Sequence, residues 1–340
     1  MKTIPVQDAV GMVLCHDMTR IVPGEFKGRA FKKGHVVQAD DVEALLKMGK
    51  ENLYVWEVSD GFLHENEAAR RIAVAASGPG IRLTEPSEGR INLIAGNNGL
   101  LKINVPALNS INAIDQMVFG TLHTNQQVKK KRAVAGTRVV PLVIEETKIE
   151  MVEEICRKAF PVVQVKPFIM ARIGMVTTGS EIYSGRIEDL FGPILREKFE
   201  ELNGSITRQI MTSDDRTMTA NAIGELVDEG ADMVVVTGGM SVDPDDQTPA
   251  AVRQTGAQVE TYGSPVFPGA MFMLAYLGDV PIVGLPGCVM YYKATIFELI
   301  IPRLMAGERV TRQDVVELGH GGFCENCPEC HYPACPFGKS

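Results

Sequence analysis

A run of β-branched residues, Val234-Val235-Val236-Thr237, ends abruptly at the glycine pair Gly238-Gly239. Such a run is typical of a buried parallel strand that delivers a loop to the carboxyl edge of a sheet. Because glycine has no Cβ atom, the pair can adopt positive φ angles, and an anionic ligand can approach the backbone amides closely. Asp245 and Asp246 follow, and carboxylates suit a metal ion, a ring N–H or a hydroxyl group. The loop therefore predicts a ligand that is both phosphorylated and heterocyclic.

The same stretch also has a purely structural interpretation. Asp246 or Thr248 would cap a helix whose first turn carries Pro249. The two interpretations predict different surroundings for the loop: a ligand site requires further loops with ligand-binding chemistry nearby, whereas a helix cap does not.

From residue 169 to about 307 the sequence alternates strand-like and helix-like segments. This alternation predicts a three-layer α/β domain with a mainly parallel sheet. The predicted strands are 168–176, 206–211, 232–237, 271–276 and 280–285, and the predicted helices are 190–202, 215–230 and 289–304. Ligands bind such sheets at the carboxyl ends of the strands. Loops with ligand-binding chemistry follow Val176, Val236 and Leu285, so we expect the three loops to meet in one cleft.

Residues 1–165 carry no motif that indicates a function. Residues 1–60 form a predicted β-rich region with strands at 10–15 and 53–56 and a short capped helix at 40–49. A second β-containing region with a linker spans 61–165, with predicted helices at 67–75 and 148–159 and strands at 91–94, 99–103 and 138–144. Pro141 predicts an edge or a bulge in the last of these strands. A proline-bracketed segment at 161–167 marks the boundary, so the predicted domains are 1–60, 61–165, 166–308 and a Cys-rich tail, 309–340.

The composition excludes several classes of protein. The chain has 340 residues, which is enough for two or three domains with real cores. Its net charge of −8 argues against nonspecific nucleic-acid binding. The N-terminus shows no secretory signal and no apolar run approaches the ~20 residues that span a bilayer, so we expect a cytoplasmic protein without membrane partners. The P-loop, dinucleotide, zinc-protease and nucleophile-elbow motifs are absent.

Three stretches resemble the molybdopterin-binding domain of molybdenum-cofactor biosynthesis proteins. They are Thr178-Gly179-Ser180-Glu181-Ile182-Tyr183-Ser184-Gly185, then Thr237-Gly238-Gly239-Met240-Ser241 with Asp246-Gln247-Thr248-Pro249, and finally Leu285-Pro286-Gly287. Asp214-Asp215, at the start of a helix, is a fourth element. The resemblance covers about 169–307 and implies a pterin dithiolene phosphate, molybdopterin or its adenylylated form, bound across the loops.

The resemblance also implies roles for individual residues. Asp246 and Asp214 match acidic residues that the family associates with cofactor binding or chemistry, and Mg²⁺ is a further candidate ligand for Asp246. An N-cap is the structural alternative for Asp214. Cys288 occupies a position at which relatives usually have polar residues. Either its thiol contacts molybdenum, or Cys288 is simply a small buried residue. The expected cofactor-binding residues are Thr178, Gly179, Ser180, Glu181, Thr237, Gly238, Gly239, Met240, Ser241, Asp245, Pro286, Gly287 and Cys288.

The resemblance leaves three functions open. The first is molybdopterin binding in cofactor biosynthesis, where the protein assists metal insertion or cofactor transfer as a molybdotransferase-like or adenylyltransferase-like enzyme. The second is a non-catalytic carrier or sensor of the finished cofactor. The third is a nucleotide pyrophosphatase, because the competence/damage-inducible family shares this domain and a similar loop. Molybdoenzymes or other cofactor-biosynthesis proteins are the expected partners, and a homo-oligomer is the expected assembly.

The end of the chain carries a separate metal signal. Cys324, Cys327, Cys330 and Cys335 follow the spacing C-x2-C-x2-C-x4-C, which nearly matches the cluster-binding run C-x2-C-x2-C-x3-C-P. Thiolates this close together repel one another unless a cation neutralises them. A tetrahedral Zn²⁺ site, with His320 or His331 as a substitute ligand, fits the spacing as well as an iron–sulfur cluster does.

Overall fold

The computed structural model describes residues 2–22, 26–55, 61–241 and 246–339. The chain divides into two compact units. The first comprises Met1–Gly96, Ile103–Leu122 and Lys131–Gln164, and the second comprises Asn97–Lys102, His123–Lys130 and Val165–Ser340. The predicted division into four domains stays a prediction. Within the part of the chain that the structure describes, none of the helices has the length and hydropathy needed to span a bilayer.

Short strands dominate the chain up to residue 167. The described strands are β1 (Lys2–Pro5), β2 (Met18–Val22), β3 (Phe26–Phe31), β4 (Asn52–Val55), β5 (Phe62–His64), β6 (Ile81–Leu83), β7 (Ile91–Ala95), β8 (Gly99–Ile103), β9 (Met117–Thr121), β10 (Gln126–Val128), β11 (Ala133–Val139), β12 (Val143–Glu145) and β13 (Val163–Pro167). The helices are α1 (Asp41–Lys47), α2 (Glu65–Ala76), α3 (Val105–Asn112) and α4 (Glu146–Ala159), and a 3-10 turn spans Val6–Ala9.

The first unit is built from antiparallel pairs. Strands β6, β7, β11 and β9 form a sheet in that order, and β1 pairs with β4, β2 with β3, and β5 with β12. In β7, fully buried side chains alternate with half-buried ones, as expected for a sheet with one face against a core. The expectation of a β-rich N-terminal region is therefore confirmed.

Two predicted strands of this unit are wrong in detail. Residues 10–15 form no strand, because only Val13 makes a bridge, to Val36. The predicted strand 138–144 is interrupted: β11 ends at Val139 and β12 begins at Val143, with a bend between them that contains Pro141. Proline cannot donate to a strand ladder, so the chain leaves the sheet at this point.

A buried histidine in the first unit makes its stability depend on pH. His64 is 6% exposed. Its Nδ1 accepts a hydrogen bond from the Asn66 amide at 3.1 Å, and its Nε2 lies 2.7 Å from the Cys15 carbonyl oxygen. The ring is therefore neutral with its proton on Nε2, and burial lowers the pKa of His64. Burial lowers the pKa of His16 as well.

The first unit should lose stability as the pH falls below about 6.5, the ordinary histidine pKa. Below that pH the unfolded chain binds protons that the folded chain excludes, at up to ~1.4 kcal/mol per proton and pH unit. Denaturation followed at pH 7.5 and pH 5.5 measures the effect. His64→Asn should reduce the dependence, because asparagine caps a helix but does not titrate. An unchanged pH dependence in this variant would contradict the assignment.

Alternating strands and helices make up most of the second unit. Its further strands are β14 (Ala171–Thr178), β15 (Gly204–Thr212), β16 (Met233–Thr237), β17 (Gln258–Tyr262), β18 (Met273–Leu277) and β19 (Val280–Leu285). Its helices are α5 (Ser180–Tyr183), α6 (Phe191–Glu200), α7 (Arg216–Asp228), α8 (Thr248–Gln254), α9 (Cys288–Tyr291), α10 (Ile296–Met305) and α11 (Arg312–Glu317).

These strands form a mixed sheet in the order β15-β14-β16-β19-β18-β17. The pairs from β15 to β19 are parallel, whereas β18 and β17 run antiparallel to their neighbours. Both faces are buried, because Val234 and Val236 lie in one core cluster and Val235 lies in the other. Helices cover both faces, since Ile223 of α7 belongs to the first cluster and Phe199 of α6 to the second. The predicted α/β fold is thus confirmed, whereas a mainly parallel sheet is not, because the sheet is mixed.

Two features of this unit differ from the sequence predictions. Strand β17, at the edge of the sheet, was not predicted. The predicted helix 289–304 consists of α9 and α10, with an extended residue, Tyr292, after the first. Thr295 begins the second helix with a capping box, in which its hydroxyl and the Glu298 carboxylate satisfy amides at the helix start. A new helix therefore begins at the capping box of Thr295, although the apolar pattern of residues 289–304 is continuous.

Candidate functional site

Four turns lie side by side at the carboxyl edge of the parallel part of the sheet. Thr178 of β14 pairs with Thr212 of β15, and Thr177 pairs with Thr237 of β16. Thr237 in turn pairs with Leu285 of β19. Since parallel strands end on the same side, the turns after these four strands lie at one edge of the sheet and define one candidate surface. We call this surface the edge cleft; its turns are 178–182, 213–215, 237–241 and 286–288.

The glycine pair allows the two central turns of the edge cleft to touch. Gly238 and Gly239 have φ angles of 86° and 55°, which are costly for residues with side chains. A Cβ atom on Gly238 would lie 2.0 Å from the Thr178 carbonyl oxygen. On Gly239 it would lie 2.8 Å from the Thr248 hydroxyl oxygen. Glycine at both positions is therefore a steric requirement of the cleft.

Hydrogen bonds fix the shape of the turn 237–241. The buried Thr248 hydroxyl donates to the Gly238 carbonyl at 2.8 Å, and the Thr248 amide donates to the Gly239 carbonyl at 3.2 Å. On the other side, the Tyr262 hydroxyl donates to the Met240 carbonyl at 3.3 Å. The residue that precedes α8 is Gln247, and it makes no side-chain cap. The Thr248 hydroxyl thus shapes the loop instead of capping the helix.

The two neighbouring aspartates have different roles. Asp215 caps α7, because its Oδ1 accepts a hydrogen bond from the Met218 amide at 2.7 Å. Asp214 bonds to the first turn instead: its Oδ2 accepts from the Ser180 amide at 2.8 Å and its Oδ1 from the Thr178 hydroxyl at 3.3 Å. Asp214 therefore connects two turns of the edge cleft, and the N-cap belongs to its neighbour.

The remaining predicted residues differ in what they present to the cleft. The Thr237 side chain is fully buried and bonds to the Thr177 hydroxyl, so it faces the sheet. The Met240 side chain is also buried and packs against Gly284, which leaves its backbone as the only part near the surface. The structure places three predicted residues at the surface of the turns: Glu181, Ser241 and Gly287. Gly179 is buried beside Glu181 with Ser180 half-buried, Asp246 is half-buried next to α8, and Asp245 lies outside the described residues.

The last turn of the cleft contains a protonated thiol. Pro286 is buried and Cys288 is half-buried at the start of α9. Burial raises the pKa of the Cys288 thiol, so the group is neutral at physiological pH.

Sequence reasoning missed two residues of the cleft. The Arg216 guanidinium donates to the Gln247 side-chain oxygen at 3.1 Å and so places a positive charge beside the turns. Tyr262 holds the turn 237–241 from the far edge of the sheet, although β17, which carries it, has a largely polar sequence. Arg216 could have been found from the sequence, because it directly follows Asp214-Asp215. No local sequence pattern indicates the role of Tyr262.

The tail cysteines all lie around one cavity of about 230 Å³ in the second unit. Cys324 and Cys335 are half-buried, and Cys327 and Cys330 are exposed. Among the residues that the structure describes, no three histidine, cysteine or acidic side chains converge closely enough to hold a single metal ion. His331 lines the same cavity, whereas His320 does not.

Comparison with known families identifies the class of the second unit. Residues 174–306 match the family described as a probable molybdopterin binding domain, and residues 3–57 match a domain of unknown function, DUF8806. The resemblance seen in the loops is thus confirmed: the chain contains a domain of the molybdopterin-binding family at 174–306.

Curated relatives and solved structures match parts of the chain. A CinA-like protein of Mycolicibacterium gilvum is 33% identical over 91 residues, which are 26% of this chain and 22% of that protein. The chain thus spans about a fifth of the length of the curated relatives that it matches. The molybdopterin biosynthesis enzyme MoaB of Thermus thermophilus is 20% identical, covers 41% of this chain and 98% of its own, and has a TM-score of 0.34. The MoeA protein of Pyrococcus horikosii is 16% identical, covers 72% and 79%, and has a TM-score of 0.33. Structural similarity at these TM-scores adds nothing to the family match at residues 174–306.

Proposed function

We propose that the edge cleft binds molybdopterin, or its adenylylated form, and that the protein acts in molybdenum cofactor biosynthesis. The observation that carries the proposal is the direct contact of the turns after β14 and β16, which only glycine at position 238 permits. Such close contact supports a surface on which backbone amides and carboxylates lie near one another. A ligand with a phosphate at one end and a pterin at the other requires both.

The phosphate end of the ligand would bind the turn 237–241. Within the described residues, the amides of Gly239, Met240 and Ser241 donate no hydrogen bond, so they are available to an anion. Amide donors bind a dianion without lysine side chains, which suits a protein with a net charge of −8. Arg216, at the rim, supplies the nearby positive charge.

The pterin end would face the carboxylates. Asp214 is engaged by Ser180 and Thr178, so it positions the first turn. Asp246 is the residue that we propose for hydrogen bonds to pterin N–H groups or for binding Mg²⁺. A molybdotransferase-like or adenylyltransferase-like reaction would use Asp246 in this way, assisting metal insertion or cofactor transfer. The tail cysteines are a separate site, and the pterin proposal does not depend on them.

The proposal predicts that the protein retains a pterin when it is isolated from a host that makes molybdenum cofactor. Oxidation of the bound material should release a fluorescent pterin in near-stoichiometric amount. Asp246→Asn should abolish any turnover while leaving the fold intact, as judged by far-UV circular dichroism. Absence of pterin from the wild-type protein, together with no binding of added molybdopterin, would contradict the proposal.

The curated relatives leave one alternative open. They are named CinA-like, and Asp245-Asp246-Gln247-Thr248-Pro249 fits the loop of that family nearly as well. A nucleotide pyrophosphatase would release phosphate products from a panel of dinucleotides, and Asp246→Asn would stop that release. Retained pterin without nucleotide-dependent turnover would instead indicate a carrier or sensor.

A further inference from the structure

The Cys-rich tail is packed against the α/β unit. The Cys324 amide donates to the Phe267 carbonyl and the Phe267 amide to the Gly322 carbonyl, both at 2.8 Å. Near the end of the chain, the Gly338 amide donates to the Gly321 carbonyl at 2.9 Å. The Tyr332 hydroxyl donates to the Glu298 carbonyl on α10 at 3.1 Å. These contacts close residues 321–338 into a loop whose position is set by the core beneath it.

This loop brings the four tail thiols to the wall of one cavity. Tyr332 and Phe337 also line this cavity and pack edge to face, with 6.1 Å between their ring centroids; we call this pair the aromatic floor. The residues from Tyr291, the last residue of α9, to Ala294 line the same cavity. The four cysteines therefore line a single space of about 230 Å³.

A single zinc ion does not fit this arrangement. Tetrahedral zinc requires four sulfur atoms at about 2.3 Å from one point. The described side chains do not converge in that way. In an iron–sulfur cluster the thiolates bind different iron atoms and surround a larger body, so thiols spread around a cavity are the expected geometry. The spacing of the cysteines also lies within one residue of a known cluster-binding run.

We propose that Cys324, Cys327, Cys330 and Cys335 bind an iron–sulfur cluster in this cavity. Binding of the cluster would release the thiol protons, and the iron would neutralise the four thiolates that result. The aromatic floor shields one side of the cluster from water, while the exposed Cys327 and Cys330 leave the other side accessible.

The test uses the full chain, purified without oxygen and reconstituted with ferrous and ferric iron, sulfide and a thiol reductant. Iron, zinc and acid-labile sulfide are measured per chain, together with visible absorption. The wild-type protein should be brown and contain iron and sulfide in equal amounts. Cys327→Ser and Cys330→Ser, both at exposed positions, should each lose most of this iron and sulfide. Cys156→Ala, which removes a buried thiol of α4, is the matched control and should retain both.

Three results would overturn the proposal. The first is one equivalent of zinc without labile sulfide, which would mean that the thiols close around a single ion. The second is no metal bound at all by folded wild-type protein, with circular dichroism confirming the fold. The third is equal iron content in the wild type and in both tail variants. Pterin content, measured in the same samples, reports separately on the edge cleft.

Discussion

Replacing Gly238 with alanine should lower the free energy of unfolding of the α/β unit by about 2 to 5 kcal/mol. The added Cβ atom would lie 2.0 Å from the Thr178 carbonyl oxygen, and the φ angle of 86° is itself unfavourable for alanine. Either the turn 237–241 moves away from the turn 178–182 or the strands β14 and β16 separate. Both outcomes destroy the edge cleft, so pterin binding should be lost even where the variant still folds. Chemical denaturation followed by far-UV circular dichroism measures the first effect.

The matched control is Gly224→Ala in helix α7. Gly224 has nothing within 4 Å of an added Cβ atom, and alanine is the better helix former. This variant should be neutral or more stable by up to ~1 kcal/mol, with pterin binding unchanged. If the two alanine variants behaved alike, contact between the turns would not be what fixes glycine at position 238.

Asp214→Ala should weaken pterin binding about tenfold or more and should also lower the free energy of unfolding, because it removes hydrogen bonds within the protein. Hydrogen bonds to a charged carboxylate contribute about 1.5 to 3 kcal/mol each, and every 1.4 kcal/mol corresponds to a factor of ten in Kd. The lost bonds are those from the Ser180 amide and the Thr178 hydroxyl, which hold the first turn in place. Titration of the protein with molybdopterin measures the change in affinity.

The neighbouring variant Asp215→Ala should lower stability without weakening pterin binding. It removes the cap of α7 and should cost about 1 kcal/mol of stability, while pterin affinity stays close to that of the wild type. A loss of pterin affinity in Asp215→Ala but not in Asp214→Ala would contradict the roles assigned to the two aspartates.

The sequence predicted the parts of the fold that depend on local chemistry. The apolar run 233–237 has only one reasonable position, inside a sheet that is covered on both faces, and the structure has β16 there. The glycine pair that follows indicated a close backbone approach, which the 2.0 Å geometry at Gly238 explains. The alternating order of strands and helices then placed the other turns at the same edge.

Features that depend on distant contacts could not be predicted in this way. Strand β17 contains Gln258, Glu260 and Thr261, and it is held in the sheet by pairing with β18 instead of by its own hydrophobic pattern. The roles of Asp214 and Asp215 were also ambiguous, because both residues are good helix caps. Only the position of Ser180, 34 residues away along the chain, separates them.

The α/β unit includes two segments from much earlier in the sequence, residues 97–102 and 123–130. Leu100 is fully buried in the same core cluster as α10, and the Lys102 ammonium lies 2.9 Å from the Glu308 carboxylate. An expression fragment that begins at residue 166 would therefore lack part of its core and the ion pair between Lys102 and Glu308, although Lys166 and Arg303 would still pair with Glu308. For crystallisation, or for transplanting the cleft into another protein, the unit must be taken together with the chain that precedes it.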